Sequence, residues 1–221
     1  PASISSATPV TSGSQVIEGF RVSHDRHWLV YDSNLHGNAD LYRVPVTGGE
    51  PERLTTAPAD EFQPVLSPDG ASVAYHSVAG AARQIFVLPL NGGSAVRVAP
   101  SNTDERVADW APDGTALAWY SRVGSQAWIA RRGADGRWQP AVMRADRVLW
   151  PKWSPDGRLL IGTSPDGRVV EVDAAAQAIL ERLQHELERQ DVRSGARQHR
   201  RRGDRPEARA EELPRARGES I

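Results

Sequence analysis

A frame of eleven residues occurs four times in this chain and constrains its fold more than any other feature. The copies read SHDRHWLVYDS at 23–33, SPDGASVAYHS at 67–77, APDGTALAWYS at 111–121 and SPDGRLLIGTS at 154–164. Successive copies begin 44, 44 and 43 residues apart. Apolar residues between the frames keep the same period, at Val10, Leu54, Val98 and Val142. The chain is therefore built from repeats of one structural unit.

Each unit has the pattern of several β-strands joined by tight turns. In Ser-Pro-Asp-Gly, Pro presets φ, Asp can accept a hydrogen bond from the backbone ahead of it, and Gly accepts a positive φ. Apolar residues alternate before and after the turn, as they do in strands. A four-stranded repeat of roughly 40–45 residues is typical of a β-propeller blade. We therefore predict an all-β propeller, with blades near 20–55, 62–99, 107–143 and 148–173.

Aromatic and apolar residues mark equivalent places in the predicted blades. The strand before each turn is expected to end at Val22, Leu66, Trp110 and Trp153. The tryptophans are expected to pack between blades rather than to form a ligand cage. These are Trp110, Trp119, Trp128, Trp150 and Trp153.

The stretches FQPVLSPDGASVAYHS, IFVLPLNGGSAVRV and VYDSNLHGNADLYRVPVTGGEPERLT resemble the TolB-like, or PD40, propeller family over about residues 8–173. The resemblance implies six or more blades. Its members include the periplasmic TolB protein, the propeller of prolyl-oligopeptidase-type peptidases and sensor regions of bacterial receptor kinases, so it indicates the fold better than the function. In the first frame His24 replaces Pro and Arg26 replaces Gly, so a different turn conformation is expected there.

The number of blades is left open by the sequence. The fourth unit supplies three strands and then the repeat stops. The second SPDG, at 164–167, predicts a hairpin between the second and third of these strands. Segment 4–11 is in phase with the outer strands, so it either completes the fourth blade by closing the ring or is the end of an upstream blade. We expect an incomplete propeller, with a closed ring of four as the alternative.

The C-terminal part differs from the rest in composition. Residues 174–221 contain no aromatic residue but carry eleven Arg and nine Asp or Glu. Such a segment buries too little apolar surface to offset its chain entropy. We predict a propeller over 1–173, an amphipathic helix over 174–190 and a disordered Arg-rich tail over 191–221.

Several kinds of chemistry are not expected. No Gly-x-Ser-x-Gly nucleophile elbow occurs, and the six histidines have no zinc-motif spacing. Loop 32–40 lacks the ligands of a calcium loop, with His36 and Arg43 at ligand positions. The net charge of −1 does not indicate a nucleic-acid surface, and no apolar run could span a bilayer. We expect no enzyme activity, no metal and no cofactor.

Acidic residues recur just before successive inner strands. They are Asp60, Glu61, Asp104, Glu105 and Asp146. Because linkers of this kind lie at one end of a propeller channel, their carboxylates are expected to converge into an acidic rim that binds a basic group. The alternative is that these linkers are polar simply because they are exposed.

Three functions remain open at this point. The leading hypothesis is a non-enzymatic binding or sensor module for a protein or peptide, part of a larger envelope or signalling protein and extracytoplasmic, although a cytoplasmic location is also possible. The alternatives are the gating propeller of a serine peptidase or a propeller lyase without its other parts, and a fragment without independent function. Partner identity, oligomeric state and the role of the tail do not follow from the sequence.

Overall fold

The computed structural model describes residues 9–98 and 103–175, and every regular element in these ranges is a β-strand. The strands form four antiparallel sheets, which confirms the all-β propeller fold. The chain divides into units 1–175 and 176–221. The predicted tail over 191–221, and the helix over 174–190 apart from its first two residues, lie outside the described residues.

Each sheet contains strands that follow one another in the chain. The first blade comprises β1 (Phe20–Val22), β2 (Trp28–His36), β3 (Asn38–Pro45) and β4 (Glu52–Arg53). The second comprises β5 (Glu61–Leu66), β6 (Ser72–Ala79), β7 (Ala82–Pro89) and β8 (Val96–Arg97). The third comprises β9 (Glu105–Trp110), β10 (Ala116–Ser121), β11 (Gln126–Arg131) and β12 (Val142–Ala145). The fourth comprises β13 (Leu149–Trp153), β14 (Leu159–Thr163) and β15 (Val169–Asp173).

The strand register confirms the repeat residue by residue. The last residue of each inner strand pairs with the second strand of its own blade at equivalent positions: Val22 with Leu29, Leu66 with Val73, Trp110 with Leu117, and Trp153 with Leu160. The second SPDG joins β14 to β15, where Gly167 N donates to Ser164 O at 2.9 Å. The predicted hairpin is therefore confirmed.

The tight turns are held by their Ser and Asp side chains. In the second blade Ser67 Oγ donates to Asp69 Oδ1 at 2.5 Å, and Ala71 N donates to the same oxygen at 3.0 Å. The bond from Ser67, then the one from Ala71, lower the pKa of Asp69 below its usual value. The turn aspartates are thus structural, as predicted.

The turn of the first blade has the same conformation as the others, contrary to the expectation from its sequence. Arg26 has a φ of 62°, close to the 71° of Gly70. Ser23 Oγ still donates to Asp25 Oδ1 at 2.5 Å, and Trp28 N donates to Ser23 Oγ at 2.9 Å. These bonds hold a non-glycine residue in the left-handed region, which costs roughly 1 kcal/mol.

Every inner strand after the first contains a bulge. Gln63, Val107 and Trp150 have φ of 51°, 52° and 48°, again one repeat apart. Pairing shifts register between Phe62 and Val65, and between Leu149 and Lys152. No glycine marks these positions, so the sequence gives no signal for the bulge.

The sheets pack in chain order. Leu41 of the first sheet lies in one cluster with Val73 and Tyr75 of the second, and Ile85 of the second sheet lies in another with Trp119 of the third. Ala118 of the third sheet lies in the same cluster as Leu160 of the fourth. Each blade therefore covers one face of the next.

The N-terminal segment keeps the predicted phase without forming a strand. Val10 packs against Tyr31, Tyr42 and Val44 of the first blade, as Leu54 packs against the second. Residues 9–19 contain no strand, and the earlier part of segment 4–11 lies outside the described residues. The fourth sheet has three strands among residues 149–175.

Candidate binding rim

The predicted acidic set lies where the chain enters the inner strands, but its members face different surroundings. Glu61 and Glu105 are the first residues of β5 and β9 and are buried, at 3% and 1% exposure. Ile85 N of the preceding blade donates to Glu105 Oε2 at 3.1 Å. These two glutamates lie inside the blade junctions and not on an open rim.

Glu61 belongs to a buried polar network between the first two blades. Burial raises its pKa to about 7, hydrogen bonds with Thr55 and Tyr75 oppose this, and the nearby Asp40 carboxylate adds to the rise. Arg53 Nη2 pairs with Asp40 Oδ2 at 2.6 Å. Near neutral pH, therefore, Glu61 exists in both protonation states in the folded protein.

Asp60 and Asp104 join each blade to the next. Ala39 N donates to Asp60 Oδ1 at 2.9 Å, and Arg83 N, one repeat later, donates to Asp104 Oδ1 at 3.2 Å. Because both aspartates are only partly buried, they combine this structural role with access to solvent.

The charge around these two aspartates differs. Asp104 Oδ2 pairs with Arg106 Nη2 at 2.8 Å and with Arg122 Nε at 3.1 Å. Among the residues that the structure describes, Asp60 has no ion pair. The exposed Asp146 accepts a bond from Gln126 Nε2 at 3.0 Å. The rim is therefore negative at Asp60 and compensated by arginine at Asp104.

A cavity of about 240 Å³ opens beside Asp60, between the first and second blades. Its lining combines carboxylate, amide and apolar groups: Val16, Glu18, Asp32, Asn34, Gly37, Ala39, Asp60 and Phe62. We call it the first cleft. Of the five acidic residues predicted to form the rim, only Asp60 lines this cleft.

Asp32 builds the wall of the first cleft. It is 1% exposed, and its Oδ1 accepts bonds from Glu18 N at 2.6 Å and Gly19 N at 3.1 Å. Its Oδ2 accepts a bond from Gln63 N at 2.8 Å, in the bulge of the next blade. A side chain at Gly19 would come within 3.1 Å of both Asp32 and Gln63. Glu18 and Asp60 are therefore the carboxylates left to meet a ligand.

A different type of residue occupies the position of Asp32 in each blade. The second blade has His76 there, 1% exposed, with Arg83 Nη1 3.0 Å from its Nε2. Burial, and then the charges of Arg83 and Arg106, lower the pKa of His76 to about 3, so it is neutral. The third has Tyr120, whose ring lies edge-on to Trp150 at 6.0 Å. The second and third blades therefore have no carboxylate at this position.

A second cavity, of about 360 Å³, lies at the other end of the inner strands. Val22, Leu66, Trp110 and Trp153 contribute to its wall. Trp110 Nε1 donates to Val65 O at 3.1 Å and Trp153 Nε1 donates to Asp109 O at 3.2 Å, each across a blade junction. This confirms inter-blade packing for these two tryptophans, whereas Trp150 is 51% exposed.

The acidic rim predicted from sequence did not include Glu18, and Asp32 and Asn34 were considered only as part of the loop without calcium ligands. The available signal was the alignment of Asp32 with His76, Tyr120 and Thr163 in the repeated frame, because only the first of the four copies has an acidic residue at this position. Within residues 9–98 and 103–175, no group of three or more His, Asp or Glu side chains could hold a metal ion. Over the same ranges, no helix has the length and apolarity to cross a bilayer.

Comparison with known proteins agrees with this architecture. The family model of the TolB beta propeller domain (PD40) matches residues 6–191. A candidate TolB protein from Agrobacterium tumefaciens superposes with a TM-score of 0.61 at 23% identity, covering 74% of this chain and 60% of that one. TolB from Acinetobacter baumannii gives 0.53 at 21%, covering 72% and 43%. An oligogalacturonate lyase in complex with manganese gives 0.54 at 14%, covering 70% and 49%.

The chain spans 60% or less of the length of each of these three structures, and identities this low indicate a shared fold alone. The family match covers most of the chain and coincides with the four sheets. The chain therefore belongs to the TolB β-propeller family.

Proposed function

We propose that this propeller is a non-enzymatic binding module that docks a protein or peptide through a basic segment. The first cleft accepts an arginine or lysine side chain, and Glu18 and Asp60 supply the charge that attracts it. The resemblance to TolB favours an extracytoplasmic setting, as part of an envelope or signalling protein.

The observation that carries this proposal is the uncompensated charge of the first cleft. Glu18 is exposed and Asp60 is partly exposed, and neither has an ion pair among the described residues. In a recess walled by protein, like charges focus the potential and attract a cation. At Asp104 the same backbone position is already paired with Arg106 and Arg122, so a ligand would gain less there.

The shape of the first cleft fits a long basic side chain. Its apolar groups, Val16 and Phe62, can contact the methylene stem while the carboxylates bind the charged end. Phe62 already attracts a guanidinium within the protein, since Arg83 Cζ lies 5.2 Å from the centre of its ring.

An arginine-rich peptide labelled with a fluorophore tests the proposal by anisotropy. We expect binding at low ionic strength that weakens as salt rises. Glu18→Gln and Asp60→Asn are each expected to reduce the affinity about threefold, as for a partly exposed charge contact. Asparagine keeps an acceptor for Ala39 N, so the fold should be retained.

Asp146→Asn is the matched control, because Asp146 is an exposed acid of the predicted rim that does not line the first cleft. It should leave the affinity unchanged. Equal binding of the peptide by the parent and by the Glu18→Gln/Asp60→Asn double variant would contradict the proposal. So would equal binding of a glutamate-rich peptide of the same length.

A further inference from the structure

The junction between the second and third blades carries an excess of positive charge. Arg106 Nη2 lies 2.8 Å and Arg122 Nε lies 3.1 Å from Asp104 Oδ2, and the backbone N of Arg83 donates to Asp104 Oδ1 at 3.2 Å. The Glu105 carboxylate is 1% exposed, inside the junction. The guanidinium groups therefore outnumber these two carboxylates. We call Arg83, Arg106 and Arg122 the arginine group.

Two members of the arginine group occupy positions that line the first cleft one repeat earlier. Ala39 and Phe62 of the first cleft align with Arg83 and Arg106. The alignment is fixed by the backbone, because Ala39 N and Arg83 N make the same bond to the aspartate that precedes the next inner strand. The repeat thus places guanidinium groups at this junction where the first cleft has uncharged groups.

Arg83 is held between an imidazole and an aromatic ring. Its Nη1 lies 3.0 Å from His76 Nε2, and its Cζ lies 5.2 Å from the centre of the Phe62 ring. His76 is 1% exposed and neutral, so Nε2 accepts this bond and Nδ1 carries the proton. Within the part of the chain that the structure describes, that Nδ1–H has no acceptor. Because neither His76 nor Phe62 is negative, they leave the charge of Arg83 uncompensated.

Phe62 connects the arginine group with the first cleft. Its side chain lines the first cleft, and its ring also contacts the Arg83 guanidinium. A ligand whose basic side chain lies beside Glu18 and Asp60 therefore has the arginine group as its neighbour.

We propose that the arginine group binds an acidic side chain of the ligand whose basic side chain enters the first cleft. This inference rests on the proposed function and specifies the ligand further, as a segment with a basic and an acidic residue close together. The acidic group is a carboxylate, because Arg106 already donates to the Asp104 carboxylate through Nε at 3.1 Å and Nη2 at 2.8 Å. Arg122, whose side chain is 71% exposed, and Arg83 retain N–H groups for a second carboxylate.

Fluorescence anisotropy with labelled peptides of one length tests the proposal. A basic peptide carries a single arginine among alanines and serines, and each mixed peptide carries in addition one glutamate a few residues before or after that arginine. We expect the best mixed peptide to bind the parent about threefold more tightly than the basic peptide. The negative first cleft alone would repel the glutamate and give the opposite order. The sign of the difference therefore reports on the arginine group.

Substitutions in the arginine group change the ratio of these two affinities in opposite directions. Arg106→Gln/Arg122→Gln should remove the preference for the mixed peptide, and binding of the basic peptide by this variant shows that the fold is retained. Asp104→Asn should increase the preference, because it removes a carboxylate that competes for the same guanidinium groups. Arg137→Gln is the matched control, because Arg137 has an 88% exposed side chain and does not belong to the arginine group. It should leave both affinities unchanged.

Failure of this inference can be distinguished from failure of the proposed function. If the basic peptide binds the parent but no mixed peptide binds more tightly, the arginine group does not bind an acidic side chain. A preference for the mixed peptide that persists in Arg106→Gln/Arg122→Gln would overturn the inference in the same way. If the basic peptide does not bind the parent at all, the proposed function is wrong and this inference is wrong with it.

Discussion

The junction between the first and second blades and the junction between the second and third have the same backbone hydrogen bonds but different side-chain charges. In both, an aspartate at the start of the inner strand accepts a bond from the third strand of the preceding blade, through Ala39 or Arg83. The first junction surrounds this aspartate with carboxylates, and the second with arginines and a neutral His76. The repeat therefore determines where side chains lie, and single substitutions within it determine the charge of each junction.

The largest effect is expected at Asp32, which bridges the first junction. Asp32→Ala leaves three buried or partly buried N–H groups, of Glu18, Gly19 and Gln63, without their acceptor. Bonds to a charged acceptor are strong and a buried donor left unpaired is costly, so we expect a loss of about 3 kcal/mol in the free energy of unfolding. Urea denaturation measures it.

Asp146→Ala removes an exposed carboxylate and should change the same quantity by less than about 0.5 kcal/mol. Equal losses for Asp32→Ala and Asp146→Ala would show that Asp32 does not hold the junction together.

The next effect concerns the protonation of Glu61. Its folded-state pKa of about 7 lies above the ordinary value of 4.5, so the folded protein keeps a proton that the unfolded chain has released. This stabilisation is fully present below pH 4.5 and is lost as the pH rises to about 7. The free energy of unfolding should fall by about 2–3 kcal/mol over that range because of Glu61.

Glu61→Gln should remove this part of the pH dependence, measured by urea denaturation at a series of pH values. Glu52→Gln, which alters a more exposed carboxylate of the first blade, should retain it. If Glu61→Gln and the parent show the same slope between pH 4.5 and 7, the buried proton of the first junction does not exist.

Most of the fold, but less of the site, follows from the sequence. The period of 44 residues and the turn residues predict the four sheets and the equivalence of Val22 and Leu66, because each unit must satisfy the same backbone bonds. The burial of Glu61 does not follow, because successive side chains of a strand point to opposite faces. Two charged residues before a strand are both expected to be exposed. Asp60 does reach solvent, but Glu61 is buried in the junction.

The conformation of the first turn could not be predicted from its own residues either. Arg26 is disfavoured at a positive φ, but the hydrogen bonds of Ser23 and Asp25 outweigh that preference. The bulges at Gln63 and Val107 place residues other than glycine at a positive φ, so no residue type marks them in the sequence.

The smallest expected change in the free energy of unfolding comes from substitutions in the turns of the first two blades. Arg26→Gly relieves a left-handed backbone and should raise the free energy of unfolding by about 0.5–1 kcal/mol. Gly70→Ala, at the same place in the second blade, should lower it by a similar amount, although no atom lies within 4 Å of the added methyl. Thermal unfolding of both variants measures the difference, and destabilisation by Arg26→Gly would contradict the shared turn conformation.

The central proposal, that the first cleft binds a basic segment, is tested most directly by comparing Asp60→Asn with Asp104→Asn. Both keep an acceptor for the preceding strand, and each removes one charge from an equivalent position. Titration with an arginine-rich peptide at low ionic strength should show weaker binding for Asp60→Asn. It should show nearly unchanged binding for Asp104→Asn, because this change removes no charge from the first cleft. Equal affinities for the two variants, or a greater loss at Asp104, would contradict the account.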